Sequence, residues 1–305
     1  MCEEYSSKHF TLEQVGEGIY AAIAKEGGGA VGNAGFIDLG DQSIVFDTFN
    51  TPQAGEDLKN LTEKITNRPV SWVINSHWHG DHIRGNQAFK NSLVISSETT
   101  YQKMKEIHPS RILKQKRDIK GLTNYIHSLK EEMSKNNDRK RELQISFLSE
   151  IEQSLPTLEL VLPQVTFKNE MTLYGRKRSA KLFTLGRGHS DCDAVLYLPE
   201  DKVIFMGDLL FVQSHPSIFA ESDPENWTDI LKRLGRMDIQ TAIPGHGPLG
   251  TKNSLFEVIE YIEDINEAAR KCKDIDKIEI PAKYQNWSSR DLYQTNIKRL
   301  LECIG

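Results

Sequence analysis

Short apolar runs divided by glycine and polar punctuation dominate the first fifty residues. GIYAAIA, AGFIDLG and SIVFDTF are rich in β-branched and aromatic residues, and their separators make them strands. From Pro52 to Thr66 the period changes. Leu58, Leu61 and Ile65 recur at helical spacing, with Thr51 placed to cap the start and Pro69 just beyond the end. VSWVIN (Val70 to Asn75) and LVISS (Leu93 to Ser97) read as further buried strands. In the middle, Ile119, Leu122, Ile126, Leu129 and Met133 form one helical stripe. Leu148, Ile151, Leu155 and Leu158 form another, with the polar break SKNND between them. This pattern predicts a helical hairpin inserted at about 100–160 between strand-rich halves.

The strand pattern resumes in VTFKNEMTLYG, KLFTLG, AVLYLP and KVIFMG, read as four short β runs. ENWTDILKRLGRM, TAIPGHG and a helical tract from Ser254 to Cys272 follow. Two β-rich blocks, each followed by helices, predict an α/β chain with two packed sheets and helices outside. Residues 1–305 are read as a single domain with a helical tail at about 275–305.

Composition narrows the class without naming a function. The 305 residues are 38% hydrophobic and 27% charged, as in ordinary globular proteins. A net charge of -5 argues against a nucleic-acid binder. No apolar stretch is long enough to cross a membrane, and the polar start MCEEYSSKHF lacks a secretory apolar core, so a cytoplasmic location is expected. Cys2, Cys192, Cys272 and Cys303 are scattered and are expected to be reduced thiols; Cys192 lies three residues after His189.

The chemistry concentrates in His77-Trp78-His79-Gly80-Asp81-His82, directly after a β run. His77 and His79 alternate, so an extended segment aims both to one side. Beyond Gly80 the chain can turn and present Asp81 and His82 as a second pair. One metal on each pair is the simplest use of such density. Imidazole and carboxylate donors suit Zn²⁺, with Mn²⁺ or Fe as alternatives. His189 follows KLFTLG, Asp208 follows KVIFMG and His246 follows TAIP. All three belong to loops just past strand ends, where a rigid sheet can aim functional groups.

This ordered set, H-x-H-x-D-H followed by GHSD, GD and PGHG, resembles the metallo-β-lactamase superfamily over about Phe10 to Tyr261. The resemblance implies a four-layer αββα sandwich carrying two Zn²⁺ per chain. It places His77, His79 and His189 on the first metal, Asp81, His82 and His246 on the second, and Asp208 between them. It further implies a hydrolase that uses a metal-bridging hydroxide on an ester, lactone, thioester or amide, with Asp81 also catalytic through a hydrogen bond. No G-x-S-x-G nucleophile motif competes with this reading. Asp208 stands where one β-lactamase subclass has Cys, and Gly247-Pro248 follows His246 where glyoxalase II has Glu-Tyr. β-Lactamase activity is therefore an alternative rather than the expectation. An iron-dependent oxidoreductase and a nucleic-acid-processing hydrolase are the others.

Asp47, Asp191 and Asp193 are candidates to hold the ligating imidazoles from behind. Trp78, Phe211, Trp227 and Trp287 are either pocket or core. Between Lys103 and Glu142, twelve Lys and Arg face six Asp and Glu, a solvated helix face or a lid that draws in an anionic small-molecule substrate. The insertion's apolar stripes need cover, which their mutual packing, the sandwich edge or a second copy in a homodimer would supply.

Overall fold

The computed structural model describes residues 7–133, 138–272 and 274–304. Cys2 and most of the SKNND break lie outside the described residues. The chain divides into two compact units, Met1–Phe167 with Gly175–Arg178, and Lys168–Tyr174 with Ser179–Gly305.

The first unit is built on a seven-stranded sheet in sequential order. Strands β1 (Phe10–Gly16), β2 (Ile19–Ala24), β3 (Ala34–Asp38) and β4 (Ser43–Phe46) form an antiparallel meander. Strands β5 (Trp72–Ile74), β6 (Leu93–Ser97) and β7 (Val165–Phe167) continue it in parallel. Parallel neighbours need long crossovers. Helix α1 (Pro52–Thr66) supplies the first, with Thr51 accepting from the Ala54 N–H, Pro52 in its first turn, and Asn67 closing it in the left-handed region. Phe10, Phe36, Val45, Phe49, Leu58 and Val73 are sealed in this unit's core.

The expected insertion forms the β6–β7 crossover, with more helix than the stripes predicted. Helix α2 (Gly80–Ile83) belongs to the shorter β5–β6 connection, and α3 (Glu98–Arg117) opens the insertion. Helices α4 (Ile119–Met133) and α5 (Arg139–Ser154) then form the hairpin. The sequence pattern hid α3 because its buried stripe, Thr100, Met104, His108 and Ile112, is half polar and Pro109 interrupts it. Ile126, Leu129 and Ile145 meet between α4 and α5, so the hairpin stripes cover each other.

The second unit carries a five-stranded sheet ordered β12-β11-β10-β9-β8. Its strands are β8 (Glu170–Tyr174), β9 (Ser179–Thr184), β10 (Ala194–Leu198), β11 (Val203–Phe205) and β12 (Thr241–Ile243). Only β11 and β12 are parallel, joined through α6 (Pro224–Leu234). The VTFKNEMTLYG run, expected as one strand, is two. VTF pairs with β6 in the first sheet and EMTLY with β9 in the second, the chain changing sheet at Lys168-Asn169.

Helices α7 (Lys252–Lys271) and α8 (Leu292–Ile304) pack with α6 on this sheet around Trp227, Leu231, Val258, Tyr261, Ile262 and Tyr293. The expected helical tail is α8 preceded by two short 3-10 turns, Ile275–Lys277 and Ala282–Tyr284, in otherwise irregular chain. Among the described residues no helix is long and apolar enough to cross a membrane.

Candidate metal centre

In the first unit, parallel pairing of Phe46 with Ile74 brings the ends of β4 and β5 together. Asp47 leaves one strand end and Asn75-Ser76-His77 the other. Asp47 is buried with φ 59°, a left-handed conformation that non-glycine residues rarely adopt. Its Oδ1 accepts the Ser76 N–H at 2.8 Å, and its Oδ2 accepts the Ser76 hydroxyl at 2.7 Å and His82 Nδ1 at 2.9 Å. Burial pushes the Asp47 carboxyl up from its ordinary value, while His82 and Ser76 pull against that rise.

These bonds fix two tautomers. The only Ser76 hydroxyl proton goes to Asp47, so toward His77 Nδ1, 2.9 Å away, Ser76 can only accept. His77 and His82 therefore both carry their proton on Nδ1 and turn an Nε2 lone pair forward. Both rings are fully buried, with the His77 centroid 4.4 Å from His82 and 4.6 Å from His79. Asp81 Oδ2 lies 3.6 Å from His82 Nε2. His79 caps α2 in extended geometry, and Gly80 starts that helix, which is the turn the sequence required.

The His82 carbonyl accepts from the Thr48 N–H at 2.9 Å, the Thr48 hydroxyl at 3.2 Å and Asn75 Nδ2 at 3.3 Å. Helix α3 supports the same loop. Trp78 packs with Ile83 and Met104, His108 Nε2 donates to the Trp78 carbonyl at 2.7 Å, and the Arg111 guanidinium lies 5.1 Å over the indole. Burial holds the His108 imidazole down at about 4, and it is neutral.

In the second unit three loops meet at one end of the sheet. Asp208 and His246 each follow the registered pair Phe205–Ile243 by three residues. His189 lies in the loop from β9 to the antiparallel β10. Asp208 Oδ2 is 3.2 Å from His189 Nε2 and 3.4 Å from His246 Nε2. His189 Nδ1 faces the Ser217 carbonyl at 3.1 Å, which can only accept, so this imidazole too presents an Nε2 lone pair. Trp227 and Phe219 hold its ring edge-on with centroids at 5.5 Å, while His246 stacks on Phe211 at 5.1 Å. Gly245 is required here, because a Cβ would collide with Asp208 Oδ1 and the Gly207 backbone.

Asp193, expected to support His189, does so through the loop. It accepts from the Gly188 N–H at 3.1 Å, the Ser190 N–H at 3.0 Å and the Ser190 hydroxyl at 2.7 Å. Cys192 is a buried thiol 3.2 Å from Thr184 Oγ1. Trp227 is core, fully buried and donating to the Leu209 carbonyl at 3.0 Å. Trp287 stacks on Tyr261, so of the four aromatics only Trp78, Phe211 and Trp227 touch candidate ligands. Ser76 and Ser217 were not foreseen, since one acts through its hydroxyl and the other through its backbone carbonyl.

A family model described as the metallo-beta-lactamase superfamily matches residues 27–246, most of the chain and all seven candidate ligands. The chain belongs to the metallo-beta-lactamase superfamily. A linear primary-alkylsulfatase from a Pseudomonas species is 20% identical over 265 residues, 80% of this chain and 49% of the relative. The chain thus spans about half the length of that relative. A type 2 metallo-beta-lactamase from Bacteroides fragilis is 22% identical over 267 residues, 85% of this chain and 86% of the relative.

Among solved structures, a metallo-beta-lactamase from Pontibacter korlensis matches with TM-score 0.59 at 18% identity, over 84% of this chain and 99% of that one. The metallo-beta-lactamase FIM-1 from Pseudomonas aeruginosa, in its mono-zinc form, matches with TM-score 0.59 at 16% identity, over 84% and 96%. At such identities these neighbours speak for the fold, and the α/β class with two sheets is the superfamily's. The superfamily's donors fit this chain: buried imidazoles with fixed tautomers, a carboxylate between two of them, and no thiolate among the candidates.

Proposed function

We propose that this superfamily member is a metal-dependent hydrolase with a dinuclear centre, zinc being the metal its donors suit best. By the superfamily's pattern His77, His79 and His189 would hold one metal, Asp81, His82 and His246 the other, and Asp208 would serve both. The observation that carries the reading is the tautomer set: Asp47, Ser76 and the Ser217 carbonyl orient three buried imidazoles as Nε2 donors. Neutral, pre-oriented imidazole is the form a divalent ion binds. The family match, residues 27–246, takes in parts of both units, which supports reading that stretch as one functional domain.

When bound, such ions supply Lewis acidity toward a scissile oxygen and make a bound water acidic near neutral pH. The chain's own groups do the rest. Asp81, partly exposed beside His82, would accept a hydrogen bond from the attacking water and orient it. The aromatic rings of Phe211, Phe219 and Trp227 keep water from the flanks of His189 and His246. Asp47 and Ser76 hold their protons on the rear nitrogens of His82 and His77 throughout. An ester, lactone, thioester or amide is the expected substrate. The relatives' names add sulfate esters and β-lactams, with β-lactams disfavoured by Asp208. The hairpin stripes bury each other, so this reading requires no homodimer.

The test is a hydrolysis panel covering these classes with purified protein. Turnover of one class, abolished by chelator and restored by added zinc or manganese, is expected. Turnover indifferent to chelator, or none across the panel with metal bound, would overturn the proposal.

A further inference from the structure

In the first unit, where the ligand loop runs into the insertion, lies a cavity of about 460 Å3, within the usual range for small-molecule sites. Asn50, Arg84, Gln115 and Asp118 provide its polar part, and Leu122, Leu148, Ile151 and Leu155 line the rest from the α4–α5 hairpin and the turn that follows it. Arg84 is the residue immediately after α2, only half exposed. Its hydrogen bond is to a neutral group, Gln115 Oε1 at 2.9 Å, and its buried Nε has no partner among the described residues. Among the described residues no Asp or Glu makes an ion pair with it. Enclosed guanidinium groups are ordinarily paired, because burying an uncompensated charge is costly.

Three other charges bear on the cavity. Asp81 attracts Arg84 from the ligand loop and Arg111 repels it from α3. Asp118 lines the cavity, but its carboxylate lies against Gly121, where a Cβ would collide with Oδ1, and its carbonyl accepts the Leu122 N–H at 3.0 Å. Asp118 thus sits at the first turn of α4, where negative charge is favourable. Arg84 makes no ion pair among the described residues and faces an apolar wall, which defines a complementary partner by its chemistry.

We infer that this cavity binds an organic anion with an apolar tail, a medium-chain carboxylate, its head on Arg84 and Gln115 and its tail along α4 and α5. The site lies wholly within one unit and does not depend on the metal reading. Bidentate geometry between guanidinium and carboxylate makes the head contact strong, and the hairpin side chains give the tail a desolvated surface.

Isothermal titration of the purified protein with octanoate, octan-1-ol and acetate tests this. Octanoate should saturate a single site, with the alcohol and acetate each weaker by roughly ten-fold or more. Chelator should leave octanoate binding intact, separating this site from any carboxylate held by metal. Arg84→Met should weaken octanoate by roughly ten-fold and leave octanol unchanged, whereas Ile151→Asp should weaken both. Asp118→Asn removes a like charge and should tighten octanoate alone. No saturable octanoate binding, binding lost with chelator, or equal affinity for acid and alcohol would overturn the inference. If Arg84→Met fails to fold, Asp118→Asn decides it: unchanged or weaker octanoate binding in that variant refutes an anion site.

Discussion

Asp47 is bonded to Ser76 and His82 and is not a candidate ligand, yet replacing it with Asn should reach the metal. In the native protein three donors converge on its two oxygens: the Ser76 N–H, the Ser76 hydroxyl and His82 Nδ1. An asparagine can keep its oxygen toward the Ser76 N–H, but its amide then points at His82 Nδ1 and Ser76 Oγ. His82 must accept there, which moves its proton to Nε2, the nitrogen that should bind metal. The Ser76 hydroxyl is released from its carboxylate at the same time and no longer fixes the His77 tautomer. Losing one charge-assisted hydrogen bond costs about 1.5–3 kcal/mol, and changes to groups behind a ligand typically cost about 10–100-fold in metal affinity.

Asp47→Asn should therefore bind zinc roughly ten-fold or more weakly in a chelator competition. Asp47→Ala strands all three donors in a buried setting, and should also lower the metal-free protein's unfolding free energy by about 3 kcal/mol or more in urea. If Asp47→Asn binds zinc within about two-fold of wild type, the tautomer argument is wrong.

Three further outcomes follow from the same geometry. Asp208→Ala should lose one of two metals preferentially, while Asp208→Cys keeps metal with an altered rate; equal metal content and rate in all three proteins would remove Asp208 from the site. Gly245→Ala drives a methyl into the Asp208 carboxylate, and should cost about 1–3 kcal/mol with reduced metal content; an unchanged melting temperature and metal content would contradict the packing described. His108, held at about 4 by burial, titrates lower folded than unfolded, where its value is about 6.5. The unfolded chain thus binds the extra proton between those values, so this contribution is complete above about pH 6.5 and is lost as pH falls toward 4, by about 3 kcal/mol at the limit. Urea midpoints of wild type and His108→Gln should converge over that window, and parallel pH curves would show that His108 is not the group responsible.

Much of the centre was legible because ligand chemistry is dense and local. Six positions contain His77, His79, Asp81 and His82, and Asp208 and His246 follow paired parallel strands. Asp47 was legible as a support because it ends the strand run SIVF. The interactions that fix tautomers were not, since a serine hydroxyl and a backbone carbonyl leave no trace in composition. Within the fold, short apolar runs between glycine and polar breaks marked β2 to β6, and Leu58, Leu61 and Ile65 marked α1. The boundary at Lys168 was hidden because VTF and EMTLY continue one apolar rhythm while pairing with different sheets. Helix α3 was hidden because half of what it buries is polar: His108 serves the Trp78 carbonyl and Thr100 serves the Ser97 cap.

The proposed centre holds two metals on two ligand groups. Elemental analysis of the purified protein after dialysis against zinc, read alongside hydrolytic rate, tests it most directly. Close to two zinc ions per chain, with activity rising as the second is loaded, is the expected result. One tightly held metal, with no gain in rate on adding more, would contradict it.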